Sequence, residues 1–175
     1  LYLPPTSMTI SDMWDTKIQN IYGDTDSVIV SLAAKAFSGN TTLKKLNCKI
    51  QTNLIDNRTF YGCTNLTDVR EIEGVNIRIG NEAFTGCTNL KTLKFSKNST
   101  VGAVGYKAFQ GCSSLESEFP CSYEGMEVTS EAFNGCKNLV FRYYDQLNSI
   151  KIKAFIEYRY SSNTTYNQLH FNECK

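Results

Sequence analysis

Apolar and polar positions along this chain follow the period of a coil, not that of a helix or a lone strand. Ala36-Phe37-Ser38-Gly39-Asn40, Thr59-Phe60-Tyr61-Gly62-Cys63, Ala83-Phe84-Thr85-Gly86-Cys87, Ala108-Phe109-Gln110-Gly111-Cys112 and Ala132-Phe133-Asn134-Gly135-Cys136 are versions of one pentamer, and Ala154-Phe155 begins a sixth. The phenylalanines recur every 22 to 25 residues. Five residues before each stands an aliphatic, namely Leu32, Ile55, Ile79, Val104, Val128 and Ile150. Six residues after each of the first five stands a leucine: Leu43, Leu66, Leu90, Leu115 and Leu139. A coil of this length cannot enclose its own apolar residues, so neighbouring coils must bury them by stacking.

Within a coil, Leu90-Lys91-Thr92-Leu93-Lys94-Phe95 ends in the alternation of a strand with one buried face, and Leu43-Lys44-Lys45-Leu46-Asn47-Cys48 repeats it. The glycine two residues after each phenylalanine suits a tight backbone where the chain turns back. These signals predict an α/β repeat: a curved leucine-rich-repeat solenoid with a concave parallel β-sheet and short helical or 3₁₀ turns on the convex side, as at Glu82 to Thr85. About five repeats of 22–25 residues occupy 28–155. Residues 1–27 lack the signature and read as an N-terminal cap or truncated repeat, and 156–175 as a C-terminal cap. Beginning at Leu1 with no basic segment and apolar run, the chain reads as a processed or excised fragment.

At Ile79-Gly80-Asn81-Glu82-Ala83-Phe84-Thr85-Gly86-Cys87-Thr88-Asn89-Leu90 the chain resembles the BspA-like leucine-rich repeats, whose signature is an aliphatic, often Gly, then Ala-Phe, Cys and Leu. The resemblance implies a surface or secreted protein of an anaerobic bacterium or parasitic protist, used in adhesion to host or matrix proteins. It says nothing about which ligand is bound.

Charge adds little, because 18 basic residues face 17 acidic ones and no strong field recruits nucleic acid or anionic membrane. The longest apolar stretches, such as Ser27 to Ala34, fall far short of the roughly 20 residues that span a bilayer. Cys63, Cys87, Cys112 and Cys136 recur once per coil with no C-x-x-C, which reads as buried thiols and not as a metal site or disulfide framework. Cys48 and Cys121 fall at strand positions and read as core; Cys174 is open to pairing. His170, the single histidine, lies outside the repeats and reads as a surface or cap residue. Asp68, Glu71, Glu73 and Glu82 read as solvated surface. No cofactor, metal or catalytic constellation is expected, and so no enzyme. Five N-x-[ST] sequons, at Asn40, Asn57, Asn65, Asn98 and Asn163, are a slight excess that hints at a glycosylated secretory protein.

A ligand would meet the outward side chains beside the strand leucines. One column reads Lys45, Asp68, Thr92, Ser117, Phe141, and a second Asn47, Arg70, Lys94, Phe119, Tyr143. Arg70, Lys94, Phe119, Phe141 and Tyr143 are therefore the expected partner-binding residues, as an apolar patch beside two cations. Glu118 and Pro120 interrupt the pattern after Leu115, and Arg142 and Tyr144 after Leu139. If the strands slide by one residue there, Phe119 and Cys121 turn inward instead. The expected function is a non-enzymatic protein-recognition or adhesion module; the alternative is a structural spacer or intracellular scaffold.

Overall fold

The computed structural model describes residues 1–121, 126–129, 131–144 and 149–153, and of 121, 140–144 and 149–153 the backbone alone. Along the chain run β1 (Ser7–Ile10), β2 (Asn20–Tyr22), β3 (Val28–Leu32), β4 (Lys45–Gln51), β5 (Leu54–Ile55), β6 (Asp68–Glu73), β7 (Ile77–Ile79), β8 (Thr92–Phe95), β9 (Val101–Val104), β10 (Glu118–Cys121), β11 (Glu127–Val128), β12 (Val140–Tyr144) and β13 (Ser149–Lys153). One sheet, A, has the order β1-β3-β4-β6-β8, with β2 also on β4; the other, B, has the order β13-β12-β10-β9-β7-β5, with β11 also on β9. Pairing is parallel throughout except β12 with β13, which is antiparallel. The result is a β-solenoid. The coils of β4-β5, β6-β7 and β8-β9 each pass through a strand of A, a corner, a strand of B and a turn that carries the phenylalanine.

The phenylalanine, aliphatic and leucine columns read from the sequence are interior where their side chains are described. Phe37, Phe60, Phe84, Phe109 and Phe133 are at most 1% exposed and stack with ring centroids 4.9 to 5.3 Å apart and planes within 16° of parallel. The aliphatics Leu32, Ile55, Ile79, Val104 and Val128 and the leucines Leu43, Leu66, Leu90, Leu115 and Leu139 complete this core. Strand A contributes Leu46, Val69 and Leu93, then Ile50 and Ile72 after a bulge that sets Lys49 opposite Glu71. Upstream of residue 28 the stack continues. Met13 N donates to Ala36 O at 2.6 Å, as Phe37 N does to Thr59 O at 2.8 Å, so Met13 stands in the phenylalanine column.

Helical or 3₁₀ turns are not found: the described residues contain no helix. The amides explain why. In the turn of one coil, the N–H groups of Ala83, Thr85 and Cys87 donate within the coil, to Gly80, Glu82 and Phe84. Those of Glu82, Phe84 and Gly86 donate to Tyr106, Ala108 and Gln110 of the next coil. Every second donor is thus withdrawn from any helical ladder. Two left-handed residues four apart, Glu82 at φ 54° and Gly86 at φ 76°, point the alternate amides along the stack. Lys35, Arg58, Lys107 and Glu131 repeat the first of these, and Gly39, Gly62, Gly111 and Gly135 the second.

The same ladder bears on curvature. Helices on the back of a leucine-rich repeat are about 10 Å across and splay the coils. Here the rings at the turns lie 4.9 to 5.3 Å apart, close to the about 4.8 Å between strands. The described turns therefore lack the wide spacing that helices would impose on the back of the coils.

Candidate recognition surface

The outward face of sheet A is built from three columns of polar side chains between the inward ones. In the first, Lys45 Nζ is 3.4 Å from Asp68 Oδ2, and Thr92 Oγ1 donates to Asp68 Oδ1 at 2.7 Å. Partial burial pushes the Asp68 carboxyl up, but hydrogen bonds from Thr67 and Thr92 and the Lys45 charge outweigh it and leave the group below its ordinary value. In the outer column Lys49 pairs with Glu73, and Ser96 Oγ donates to Glu71 Oε1 at 2.8 Å. These carboxylates are already engaged.

The middle column differs. Arg70 and Lys94 are both exposed and directly follow the paired residues Val69 and Leu93 of adjacent strands. Among the described residues neither forms an ion pair. They are two like charges one rung apart on a solvated face, while Asp68 and Glu73 pair with Lys45 and Lys49 and Glu71 accepts from Ser96.

Of the aromatic half of the expected patch, Phe119 is not on this surface. Phe119 is fully buried, edge-on to Phe95 at 5.3 Å, Phe109 at 5.1 Å and Phe133 at 5.4 Å. Of the two registers open at sequence level, the slid one holds for Phe119. The reason is local: in Glu118-Phe119-Pro120 the only large apolar side chain at an alternating position is Phe119, and burying it outweighs keeping the register of the earlier coils. Ser117 follows it inward, 5% exposed, with its Oγ accepting from Leu93 N at 2.5 Å. Phe141 pairs in backbone register with Phe119, and Tyr143 with Cys121. The side chains of Phe141 and Tyr143 lie outside the described residues, as do His170, Cys174 and Asn163 entirely.

Two hollows on the sheet A side were not foreseen. Where β8 and β10 share no ladder, a cleft of about 310 Å³ opens, lined by Thr92, Lys94, Ser96, Glu116, Glu118 and Pro120 among others. Pro120, which has no N–H to give to a neighbour, was its visible signal. A wider groove of about 770 Å³ follows the far rim and includes Val30, Glu71, Val75 and Asn98.

On the turn side the cysteines are structural. Cys63, Cys87, Cys112 and Cys136 donate their thiols to the carbonyls of Phe37, Phe60, Phe84 and Phe109 at 3.0 to 3.1 Å. Burial pushes Cys63 up to about 12 and Cys48 to about 11, and raises Cys87 and Cys136 as well. Such thiols are poor nucleophiles. Asn40 takes the cysteine position in the first described pentamer and donates to Met13 O at 2.7 Å.

This recurrent Phe, Gly, Cys and Leu geometry agrees with a family model described as BspA type Leucine rich repeat region, which matches residues 14–140 and 71–174 with six copies. The chain belongs to the BspA-type leucine-rich-repeat family. No curated protein and no solved structure matches it. Membership of the BspA-type repeats fits a protein-interaction or repeat module, of a family that is generally non-enzymatic. Among the described residues of this BspA-type chain, no group of His, Cys, Asp and Glu could hold a metal ion, and no helix is long and apolar enough to cross a membrane.

Proposed function

We propose that this chain is a non-enzymatic recognition module of a cell-surface or secreted protein, and that it binds a host or matrix protein through the outer face of sheet A. The observation that carries the reading is the Arg70 and Lys94 pair, two exposed cations without an ion pair among the described residues, on a face where Asp68, Glu71 and Glu73 are bonded to other side chains. A rigid, preformed array loses little conformational entropy on binding, which favours recognition. Immobilised chain should capture a partner from host or matrix extracts, and a variant with both Arg70→Glu and Lys94→Glu should lose that capture while melting within a few degrees of the parent. Equal capture by the two would remove this face from the reading.

A structural spacer is the second reading, favoured by the coil-to-coil hydrogen bonds that run along both sheets and the turns. Such a rod resists bending whether or not it binds anything. Labelling intact source cells with a non-permeant reagent separates the two: a chain that never labels is no adhesin.

A further inference from the structure

The four sequons among the described residues are alike in sequence and unlike in structure. Asn40 is 2% exposed, and its amide is fully committed. Its Nδ2 donates to Met13 O and reaches Thr16 O and Oγ1, and its Oδ1 accepts from Thr42 N at 3.0 Å and Leu43 N at 2.9 Å. It joins the first two stacked coils. Asn65 Nδ2 donates to Thr41 O at 2.6 Å, and Asn57 Oδ1 accepts from Asn81 N at 2.7 Å. Both are exposed, yet both serve the coil-to-coil ladder.

Asn98 is different. It is exposed at the tip of the turn between β8 and β9 and makes no hydrogen bond among the described residues. Its neighbours hold the turn in its place. Ser99, 2% exposed, donates to Ile72 O and accepts from Gly74 N, both at 3.2 Å, and Thr100 Oγ1 accepts from Asn76 N at 2.9 Å. The acceptor amide is thus free while the rest of its tripeptide is anchored. Asn98 also lines the rim groove with Val30 and Val75, which are 39% and 66% exposed.

We propose that Asn98 is the principal N-glycan acceptor of the described chain and that Asn40, despite its Asn-Thr-Thr tripeptide, carries none in the folded protein. The inference rests on the secreted or surface reading above, and its readout does not depend on partner capture. In the transfer, Asn98 Nδ2 bonds to the anomeric carbon of a lipid-pyrophosphate-linked oligosaccharide. The lipid pyrophosphate leaves with the electron pair of the broken C–O bond, and one amide proton goes to solvent. A glycan here shields the two valines of the rim groove. One on Asn40 would have to occupy a site closed by Met13, Thr16 and Leu43, so a modified chain could not join its first coils.

The test is to secrete the intact chain from a eukaryotic cell with a control sequon in a flexible tag, and to map occupancy on the folded fraction by peptide N-glycosidase and mass spectrometry. Expected is a glycan on Asn98 in most molecules and none on Asn40. Asn98→Gln should remove one glycan and leave the melting midpoint of the enzymatically deglycosylated protein unchanged. Asn40→Gln should remove no glycan and lower that midpoint. A bare Asn98 in molecules whose control sequon is occupied would overturn the proposal. So would a glycosylated Asn40 in protein that melts like the unmodified chain.

Discussion

Truncating Phe84 to alanine probes the principle that holds the stack together. The ring is fully buried and lies between Phe60 at 4.9 Å and Phe109 at 5.0 Å, nearly parallel to both. Removing a buried phenylalanine costs about 3–5 kcal/mol through lost transfer and the cavity left behind. Each aromatic pair adds about 0.5–1.5 kcal/mol beyond buried area. Phe84→Ala should therefore fall near the upper end, close to 5 kcal/mol, against a total stability of about 5–15 kcal/mol. Phe37 provides the control. It stacks on Phe60 at 5.2 Å, but on its other side the column continues with Met13, so Phe37→Ala should cost about 1 kcal/mol less. Urea unfolding followed by tryptophan fluorescence and circular dichroism measures both, with the slope reporting whether the transition stays cooperative. A loss below about 1 kcal/mol for Phe84→Ala would refute a continuous ring ladder as the core. Equal losses at the two sites would refute a stacking contribution distinct from burial.

The cysteine column gives a pH signature. A thiol whose folded value is raised, as Cys63 is from 9.0 to about 12, contributes stability that is complete below the unfolded value and lost as pH rises toward the folded one. Chemical stability should thus be level up to about pH 8 and decline above about pH 9, less so in Cys63→Ser; a chain equally stable at about pH 10 contradicts the burial. Thiol reagents should label Cys87 and Cys112 slowly until denaturant is added. Two glycines separate conformation from space. Gly86→Ala meets ordinary van der Waals distance, 3.8 Å from Gly62 Cα, and should cost about 1–2 kcal/mol for its positive φ. Gly80→Ala drives a Cβ to 2.7 Å from the backbone N of Asn57 and should cost roughly 2–3 kcal/mol. Thermal melts that rank Gly80→Ala as the milder change would refute this assignment.

The parts of the fold legible in the sequence are those set by burial alone. Phe84, Ile79, Cys87 and Leu90 recur because each coil needs the same interior, and all four are at most 2% exposed. Arg70 and Lys94 were legible as outward residues for the same reason, being the alternating neighbours of Val69 and Leu93. The turns were not, because whether Glu82 to Thr85 forms a helix depends on where alternate amides find acceptors, and those acceptors lie a full coil away at Tyr106, Ala108 and Gln110. Phe119 was ambiguous because Glu118 and Pro120 fit neither face of a regular strand. Met13 was hidden: it does in its coil what Phe37 does in the next, but Asp12-Met13 and Thr16 share no letter with Ala-Phe and Cys.

The small extent of sheet A sets a limit on how this protein can hold anything. Strands β3, β4, β6 and β8 stand side by side, and at about 4.8 Å per strand and 3.3 Å per residue they present roughly 20 Å by 20 Å, or about 400 Å² of projected area. A specific protein contact commonly takes about 800 Å² from each partner. A face of this size lies at the low end of what such a contact takes, so a single grip is expected to be weak and quickly released. Strength then comes from repetition. In the proposed surface role, several such faces tethered on one cell, each finding its epitope at the high effective concentration imposed by its neighbours, can hold by 10²–10⁴-fold over one alone, and the bond between surface and target becomes a matter of how many copies are displayed.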